Sequence, residues 1–571
     1  MNKQFDVFVK MKITEMSKTI HDMTYTYINP ETKKPTDVPA KHYQDILKQP
    51  VEVMVEEQVK KQFLNIMFKQ LKNLKDTLWT TADQLRANSG LKSTEYAEPI
   101  LGLIFLRFAD VKYSKFEPEI KAEFDSIKGT RMERPIHEIA IEKCGFYLPE
   151  EARYDWLLNL PESEDLAKKV KEAMEAVEKY TAELEDTLPK DIYYSVNSED
   201  DPLVLAKLLK NFKDIPADVE LDIFGEIYEY FLGEFALAEG QGGGEFFTPA
   251  SVVRYMVEVL APTEGRILDP ACGSGGMFVQ SEKFIEAHGH KRGSISVYGQ
   301  EANPDTWKMA KMNMAIRGID ADLGPYNADT FTNDLHPTLK ADFILANPPF
   351  NYHPWNQEKL LEDRRWKYGT PPAGNANYAW IQHMIHHLAP NGKIGLVLAN
   401  GALSTQSSGE GNIRKNIIED DLIEGIIAMP TQLFYSVTIP VTLWFITKGK
   451  KQSGKTLFID ARKMGHMVDR KHRDFTDEDI QKLADTFEAF QNGTLEDVQG
   501  FCKVATLEDI AKQDYILTPG RYVGIEEQED DGEPFEEKMT RLTSELSDMF
   551  ARSHELEDEI RKKLGAIGYE I

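Results

Sequence analysis

Apolar and polar positions change rhythm three times along the chain. Phe5, Val7, Val9, Met11 and Ile13 alternate with polar residues, the period of a half-buried strand, and Asn29–Pro39 reads as a polar loop. From about Val51 the pattern turns helical, and it stays so from Met67 to about Ala238. Leu71, Leu74 and Leu78 begin one stripe, and Ile100–Phe108 is apolar nearly all round, as a buried helix is. Leu166, Val170, Met174, Val177, Tyr180 and Leu184 mark a long amphipathic helix, and Phe224, Ile227, Tyr228, Phe231 and Leu232 another. No chemistry is visible in this helical stretch.

After Gly240-Gln241-Gly242-Gly243-Gly244, read as a flexible joint, short apolar runs alternate with helices. The runs are Arg266–Leu268, Ile295–Tyr298, Phe343–Ala346, Ile394–Leu398, Leu422–Ala428 and Val441–Ile446. This texture predicts an α/β fold, a doubly wound Rossmann-like sheet with crossover helices. Beyond about Ile525 an acidic loop leads to a last helix. Its Met539, Leu542, Leu546, Met549, Leu556, Ile560 and Leu564 fall near heptad spacing, a seam in search of a partner. Four segments result: 1–66, an extension of unclear role; 67–238, helical; 239–515, the α/β domain; and 516–571, a helical tail for partner docking.

At 571 residues, 41% hydrophobic and 28% charged, the composition is that of a globular protein, with no apolar run of membrane-spanning length. Cys144, Cys272 and Cys502 form no CxxC pair and no disulfide framework, which points to a reducing cytoplasm. The net charge of −27 argues that any work on nucleic acid needs a partner to neutralise phosphates.

The chemistry concentrates at three places. Phe343–Ala346 runs into Asn347-Pro348-Pro349-Phe350, where the prolines stop the strand and stiffen its end. This turn presents the Asn347 side-chain carbonyl and the Pro348 backbone carbonyl as acceptors, with the aromatic Phe350 beside them, a set suited to gripping a planar exocyclic amine. Upstream, Asp269-Pro270-Ala271-Cys272-Gly273-Ser274-Gly275-Gly276 is a strand end, an acid and a glycine turn into a helix. A carboxylate there would repel a pyrophosphate but suits the ammonium of an amino-acid moiety. Glu301, at the next strand end, is placed for ribose hydroxyls, and Asp329 for an adenine amino group. Phe246-Phe247-Thr248-Pro249 opens an amphipathic helix, with Thr248 read as its N-cap.

Three further patterns are weighed and set aside. Gly449–Thr456 matches the phosphate-binding loop pattern, but a strand and not a helix follows, so it reads as a basic hairpin turn. His383, His386 and His387 share a helix without a carboxylate in the metalloprotease position, so no metal is expected. Cys272, inside a glycine turn, reads as a packing residue. Arg364-Arg365-Trp366-Lys367-Tyr368 reads either as a solvated loop or as a mobile flap that touches DNA phosphates.

Phe-Phe-Thr-Pro, Asp-Pro-Ala-Cys-Gly-Ser-Gly-Gly and Asn-Pro-Pro-Phe, in that order, resemble the S-adenosylmethionine-dependent N6-adenine DNA methyltransferases. With Leu78–Gly90, Asn375–Ala389, Ile426–Leu433 and Leu517–Gly524, the chain from about Met67 onward looks like the modification subunit of type I restriction-modification systems. The resemblance implies S-adenosyl-L-methionine as cofactor, held by Phe247, Thr248, Asp269, Ala271, Gly273, Ser274, Gly275, Glu301 and Asp329. It implies that Asn347 and Pro348 accept from the target amine, and that Phe350 stacks on an extruded base. It also implies double-stranded DNA as substrate, a DNA-specificity subunit as obligate partner, two copies of this chain per complex, and a nuclease-translocase subunit joining for restriction. Two rivals stand beside it: a methyltransferase acting on glutamine or RNA through the same Asn-Pro-Pro turn, and a non-catalytic scaffold of the same fold.

Overall fold

The computed structural model describes residues 24–28, 35–39, 69, 71–92, 95–161, 163–216, 223–239, 248–289, 291, 293–434, 440–469, 472–525 and 535–566. The strand expected over Phe5–Ile13, the helical pattern from Val51 and the joint at Gly240–Gly244 lie outside these residues. Asn29–Pro39 is not a loop throughout, because β2 (Pro35–Pro39) pairs antiparallel with β1 (Thr24–Ile28). The β-branched and aromatic run Thr24-Tyr25-Thr26-Tyr27-Ile28 favours extended backbone, and a polar segment with proline at each end serves as an edge partner.

Among the described residues the helical layer is built from α1 (71–86), α2 (Ala97–Ile127), α3 (Ile136–Cys144), α4 (Leu166–Tyr180), α5 (Val204–Lys213) and α6 (Ile223–Glu239). Ile100, Leu101, Leu103, Ile104, Phe105 and Leu106 of α2 are all fully buried, so α2 is the axle of this layer. Each such side chain contributes about 1.5–3 kcal/mol of hydrophobic stabilisation. Helix α4 is shorter than its stripe predicted: it ends at Tyr180, and Leu184 belongs to a separate 3-10 turn.

A nine-stranded sheet carries the α/β part, in the order β13-β10-β8-β9-β7-β6-β3-β4-β5. Its strands are β3 (Gly265–Asp269), β4 (Ile295–Gly299), β5 (Ala321–Asp322), β6 (Ala341–Ala346), β7 (Leu388–Ala399), β8 (Ile423–Ala428), β9 (Val441–Thr447), β10 (Lys455–Asp460) and β13 (Cys502–Thr506). A small ribbon, β11 (His466–Met467) with β12 (Arg473–Asp474), stands apart from it. Pairing is parallel across β5-β4-β3-β6-β7 and between β8 and β10. The exceptions are β9, which runs antiparallel between β7 and β8, and β13 at the edge. Two apolar clusters cover the two faces, as a doubly wound sheet requires.

The Gly449–Thr456 segment is not a hairpin turn, since β9 and β10 are separated in the sheet by β8. It wraps a carboxylate of its own chain: Asp421 takes hydrogen bonds from Gly454 N (2.7 Å) and Ser453 Oγ (2.9 Å) and an ion pair from Lys450 (2.5 Å). An anion cradle is there, and a side chain fills it.

The crossover helices that matter for the site are α7 (Ala250–Leu260), α8 (Gly276–Ala287), α9 (Pro304–Arg317) and α10 (Asn377–His387). Helix α9 belongs to two cores. Its Met312 and Ile316 are buried in the helical layer's cluster, whereas Trp307, Ala310 and Met314 are buried against the sheet. Further on come α11 (Glu410–Glu419), α12 (Asp477–Gln491) and α13 (Leu507–Lys512). The last helix, α14 (Phe535–Ala566), keeps Met539, Leu542, Leu546, Met549, Phe550, Leu556 and Ile560 exposed. None of the described helices is long and apolar enough to cross a membrane.

Candidate active site

One cavity of about 310 Å³ lies at the carboxyl ends of β3, β4 and β6. Strand β3 ends in Asp269, and the chain then turns through Gly273 (φ +54°) and Gly275 (φ +85°) into α8. Gly275 is held to glycine by its positive φ; the Met314 Cε that a Cβ would meet at 2.6 Å is the flexible end of its side chain. At Gly276 a Cβ would meet nothing within 4 Å, which leaves the turn open toward the cavity that Gly276 lines.

Asp269 is 1% exposed, and burial, with Glu301 nearby, pushes its carboxyl up to about 8; its Oδ1 accepts from Ala271 N at 3.0 Å. Glu301, buried at the end of β4, is also raised by burial. Its Oε2 accepts from Gly273 N (3.1 Å) and its Oε1 from Asn303 N (2.8 Å), so two backbone amides fix it on the wall. Asp329 reaches the same cavity from the loop before β6, with Oδ1 taking the Thr332 amide (2.8 Å) and hydroxyl (2.7 Å).

Asn347 follows β6 and faces the glycine turn across the cavity. Its Nδ2 donates to Thr248 Oγ1 at 3.0 Å, and its Oδ1 is buried without a hydrogen-bond partner. Thr248 therefore does not cap α7, whose N-cap is Pro249 without a side-chain bond; its hydroxyl is turned to Asn347 instead. An unpaired buried carbonyl oxygen costs about 1–3 kcal/mol, and it stays in a fold where a ligand will satisfy it.

The structure thus brings Thr248, Asp269, Ala271, Gly273, Ser274, Glu301, Asp329 and Asn347 to one cavity. Gly275 shapes the turn from behind. Pro348 and Phe350 do not line it: Pro348 is buried, and the Phe350 ring packs edge-on against Phe434, 6.2 Å between centroids. Among the described residues the aromatic side chains on the cavity wall are Tyr352 and Trp380. Phe247 lies outside the described residues.

Two wall residues, Glu229 and Leu232, come from α6, where the sequence showed no chemistry. The Glu229 partner, Arg317, is 5% exposed at the end of α9 and pairs with it at 2.8 Å. No pattern in the sequence links the two; only the packing of α6 on α9 does.

The Arg364–Tyr368 segment is packed in alternation, with Arg364 and Lys367 exposed and the other three side chains buried. Arg365 is buried, pairs with Asp363 (2.8 Å), and donates to the carbonyls of Thr330 (3.1 Å) and Phe331 (2.5 Å). Trp366 and Tyr368 are buried too, and Lys367 is paired with Asp420 at 2.7 Å. Cations interleaved with aromatics look exposed in sequence, but here a guanidinium ties down the loop that carries Asp329. Arg365→Ala is expected to destabilise the chain by about 2–4 kcal/mol, by leaving the buried carbonyls of Thr330 and Phe331 without this donor and Asp363 with only the Arg365 amide (2.9 Å) of its bonds to this residue. Chemical denaturation checks this, and a loss under about 0.5 kcal/mol would mean the segment is not packed.

Beneath it lies a carboxylate that the sequence did not place near the histidines. Asp334 meets His387 Nε2 at 2.9 Å, and one ligating atom each of Asp334, His383 and His387 lie within 4.8 Å of one another. The contacts are already made within the chain: His387 Nδ1 bonds Leu339 O (3.0 Å), which turns Nε2 to Asp334, and His383 Nδ1 faces Arg365 Nη1 (3.1 Å). A guanidinium in that position disfavours a cation.

A parallel sheet with a glycine turn after its first strand and an Asn-Pro-Pro turn after its fourth, both opening on one cavity, is the architecture of a class of group-transfer enzymes, the methyltransferases. The chain belongs to the N-6 DNA methylase family, whose model, described as N-6 DNA Methylase, matches residues 219–531; a second, described as HsdM N-terminal domain, matches residues 74–212. It is 50% identical over 447 residues to the type I restriction enzyme HindI methylase subunit of Haemophilus influenzae, covering 76% of this chain and 98% of that one. It is 39% identical over 526 residues to the MjaIX methylase subunit of Methanocaldococcus jannaschii, covering 88% and 93%. In fold it is similar to the type I restriction-modification methyltransferase subunit of Streptococcus thermophilus, with a TM-score of 0.68 at 22% identity over 79% of this chain and 99% of that one.

Proposed function

We propose that the cavity takes S-adenosylmethionine as methyl donor and an extruded adenine of DNA as acceptor. The observation that carries this reading is the lone Asn347 Oδ1, held toward the cavity by Thr248 and facing the glycine turn. Bound there, the cofactor would supply a sulfonium methyl group. Asp269 suits its ammonium, Glu301 its ribose and Asp329 its adenine, while Gly273, Ser274 and Gly276 let it approach the backbone.

An adenine amine is a weak nucleophile because its lone pair is delocalised into the ring. Asn347 Oδ1, as acceptor on one of its hydrogens, favours a tetrahedral nitrogen and aims the lone pair at the methyl group; the Pro348 carbonyl takes part only where the bound base reaches past the present cavity wall. The neutral amide of Asn347 is no general base, so the proton leaves after or along with transfer. The target base has to be unstacked from its duplex first. Tyr352 and Trp380 are the aromatics at hand inside the cavity, and Phe350 stands just outside it.

The partners follow from charge and from the tail. A chain with a net charge of −27 does not hold DNA phosphates alone. Helix α14 displays an apolar seam with no described element against it, which suits a DNA-specificity subunit. We place the chain, in two copies, in a complex with that subunit, to which a nuclease-translocase subunit adds for restriction.

Labelled methyl transfer with the specificity subunit present tests the whole reading. Label is expected on N6 of adenine in duplex DNA, and removal of residues 535–566 is expected to abolish it while cofactor binding persists. Label on protein or RNA instead would favour the rival acceptors, and no transfer with bound cofactor would favour a scaffold.

A further inference from the structure

Four residues in a row connect the helical layer to the glycine turn. Glu229 of α6 lines the cavity and pairs with the buried Arg317 of α9 at 2.8 Å. Arg317 also donates to Gly225 O of α6 (2.7 Å) and, through Nε, to Asn313 Oδ1 (3.3 Å). Asn313, 2% exposed, donates through Nδ2 to Ser274 O at 2.8 Å, inside the turn itself. The last six residues of α9 thus face four ways: Met312 and Ile316 into the helical core, Asn313 to Ser274, Met314 to Gly275, and Arg317 to Glu229.

We propose that Asn313 and Arg317 are positioning residues for the cofactor, and that docking of α6 onto α9 sets the shape of the glycine turn. This rests on the cavity's being the S-adenosylmethionine site. On the sheet side the turn is held through its amides, Cys272 N on Gln300 O (2.9 Å) and Gly273 N on Glu301 (3.1 Å), while its two positive-φ glycines leave the side toward α9 free to adjust. Its carbonyl at Ser274 is held by Asn313, whose amide is oriented by Arg317, whose guanidinium is in turn anchored on Glu229 and Gly225. Buried charged networks of this kind hold geometry at the expense of tolerance, since loss of one partner strands the other. The helical layer is then a component of the cofactor site. The layer also supplies part of the wall directly, through Glu229 and Leu232.

The test compares wild type, Asn313→Ala, Arg317→Lys and Glu229→Gln as full-length chains, each assembled with the specificity subunit for kinetics. Asn313→Ala removes the last link without stranding a charge, so it is the variant expected to fold. We expect its dissociation constant for S-adenosylmethionine, and its KM for that cofactor, to rise about tenfold, the equivalent of one buried hydrogen bond. KM for target DNA is expected to move by less than about twofold. Arg317→Lys keeps the charge but loses the fork that reaches Asn313, Gly225 and Glu229 together, and should match Asn313→Ala in cofactor KM. If Asn313→Ala and Arg317→Lys lower the melting temperature but leave the cofactor dissociation constant as in wild type, the network is packing alone and the inference is wrong. Should wild type itself fail to bind the cofactor, the proposed function falls first.

Discussion

Asn347→Ala is expected to lower methyl transfer by at least about a thousandfold while cofactor affinity stays within about threefold of wild type. The variant removes a buried acceptor on the cavity wall that has no partner, and with it the grip on the amine. The glycine turn, Asp269 and Glu301 are held by other bonds, to Gln300, Ala271, Gly273 and Asn303, so the cofactor half of the cavity keeps its shape. Thr248 loses only an exchangeable partner. Single-turnover transfer and equilibrium cofactor binding, measured on the same preparation, decide the matter. Near-normal turnover would show that Asn347 is not the acceptor.

Asp269→Asn is expected to act in two opposite directions. Burial raises the Asp269 carboxyl from an ordinary value near 4 up to about 8. With its folded value raised, the unfolded chain gives up this proton more readily between those limits. The residue's contribution to ligand-free stability is therefore full below about pH 4 and lost as pH climbs through about 8. The asparagine variant avoids that loss, and Asn Oδ1 can still accept from Ala271 N. Its ligand-free melting temperature should exceed wild type by about 2–5 °C at pH 8.5, with the gap closing toward pH 4. Cofactor binding should weaken by about a hundredfold or more, because a cationic amine then meets a neutral group. In wild type, affinity for a cationic amino-acid moiety should climb by up to about tenfold per pH unit between 6 and 8. A variant that binds the cofactor normally would remove Asp269 from the site.

What could be read in advance was whatever the chain encodes locally. Val-Ile-Leu-Phe runs stopped by Asn347-Pro348-Pro349 or by Gly273-Ser274-Gly275-Gly276 need no distant partner to declare a strand end and a turn. The sheet's texture came through for the same reason, since each of its central strands is buried on both faces. Strand direction did not: β9 is as apolar as its parallel neighbours, and nothing in Val441–Thr447 says that it runs the other way. Function carried by long-range pairing was also invisible. Glu229 on α6, Asp334 beside the histidines of α10, and the buried Arg365 with its bonds to the Thr330 and Phe331 carbonyls are each explained by a partner far away in sequence. In isolation a charged residue reads as solvated, which holds for most but fails for these. Thr248 belongs with them: its position before a helix predicted a cap, and the competing demand of Asn347 claimed its hydroxyl.

The dual allegiance of α9 limits how relatives of this chain can exchange parts. A chimera joined anywhere between the helical layer and the sheet would seat one parent's α6 against the other parent's α9, because α9 follows β4 in the chain yet Met312 and Ile316 fill the helical layer. Swapped modules would then mismatch in the middle of two interiors at once. A graft that respects the architecture has to carry residues 304–317 along with the donor's helical layer, although they are separated from it in sequence by α7, β3, α8 and β4.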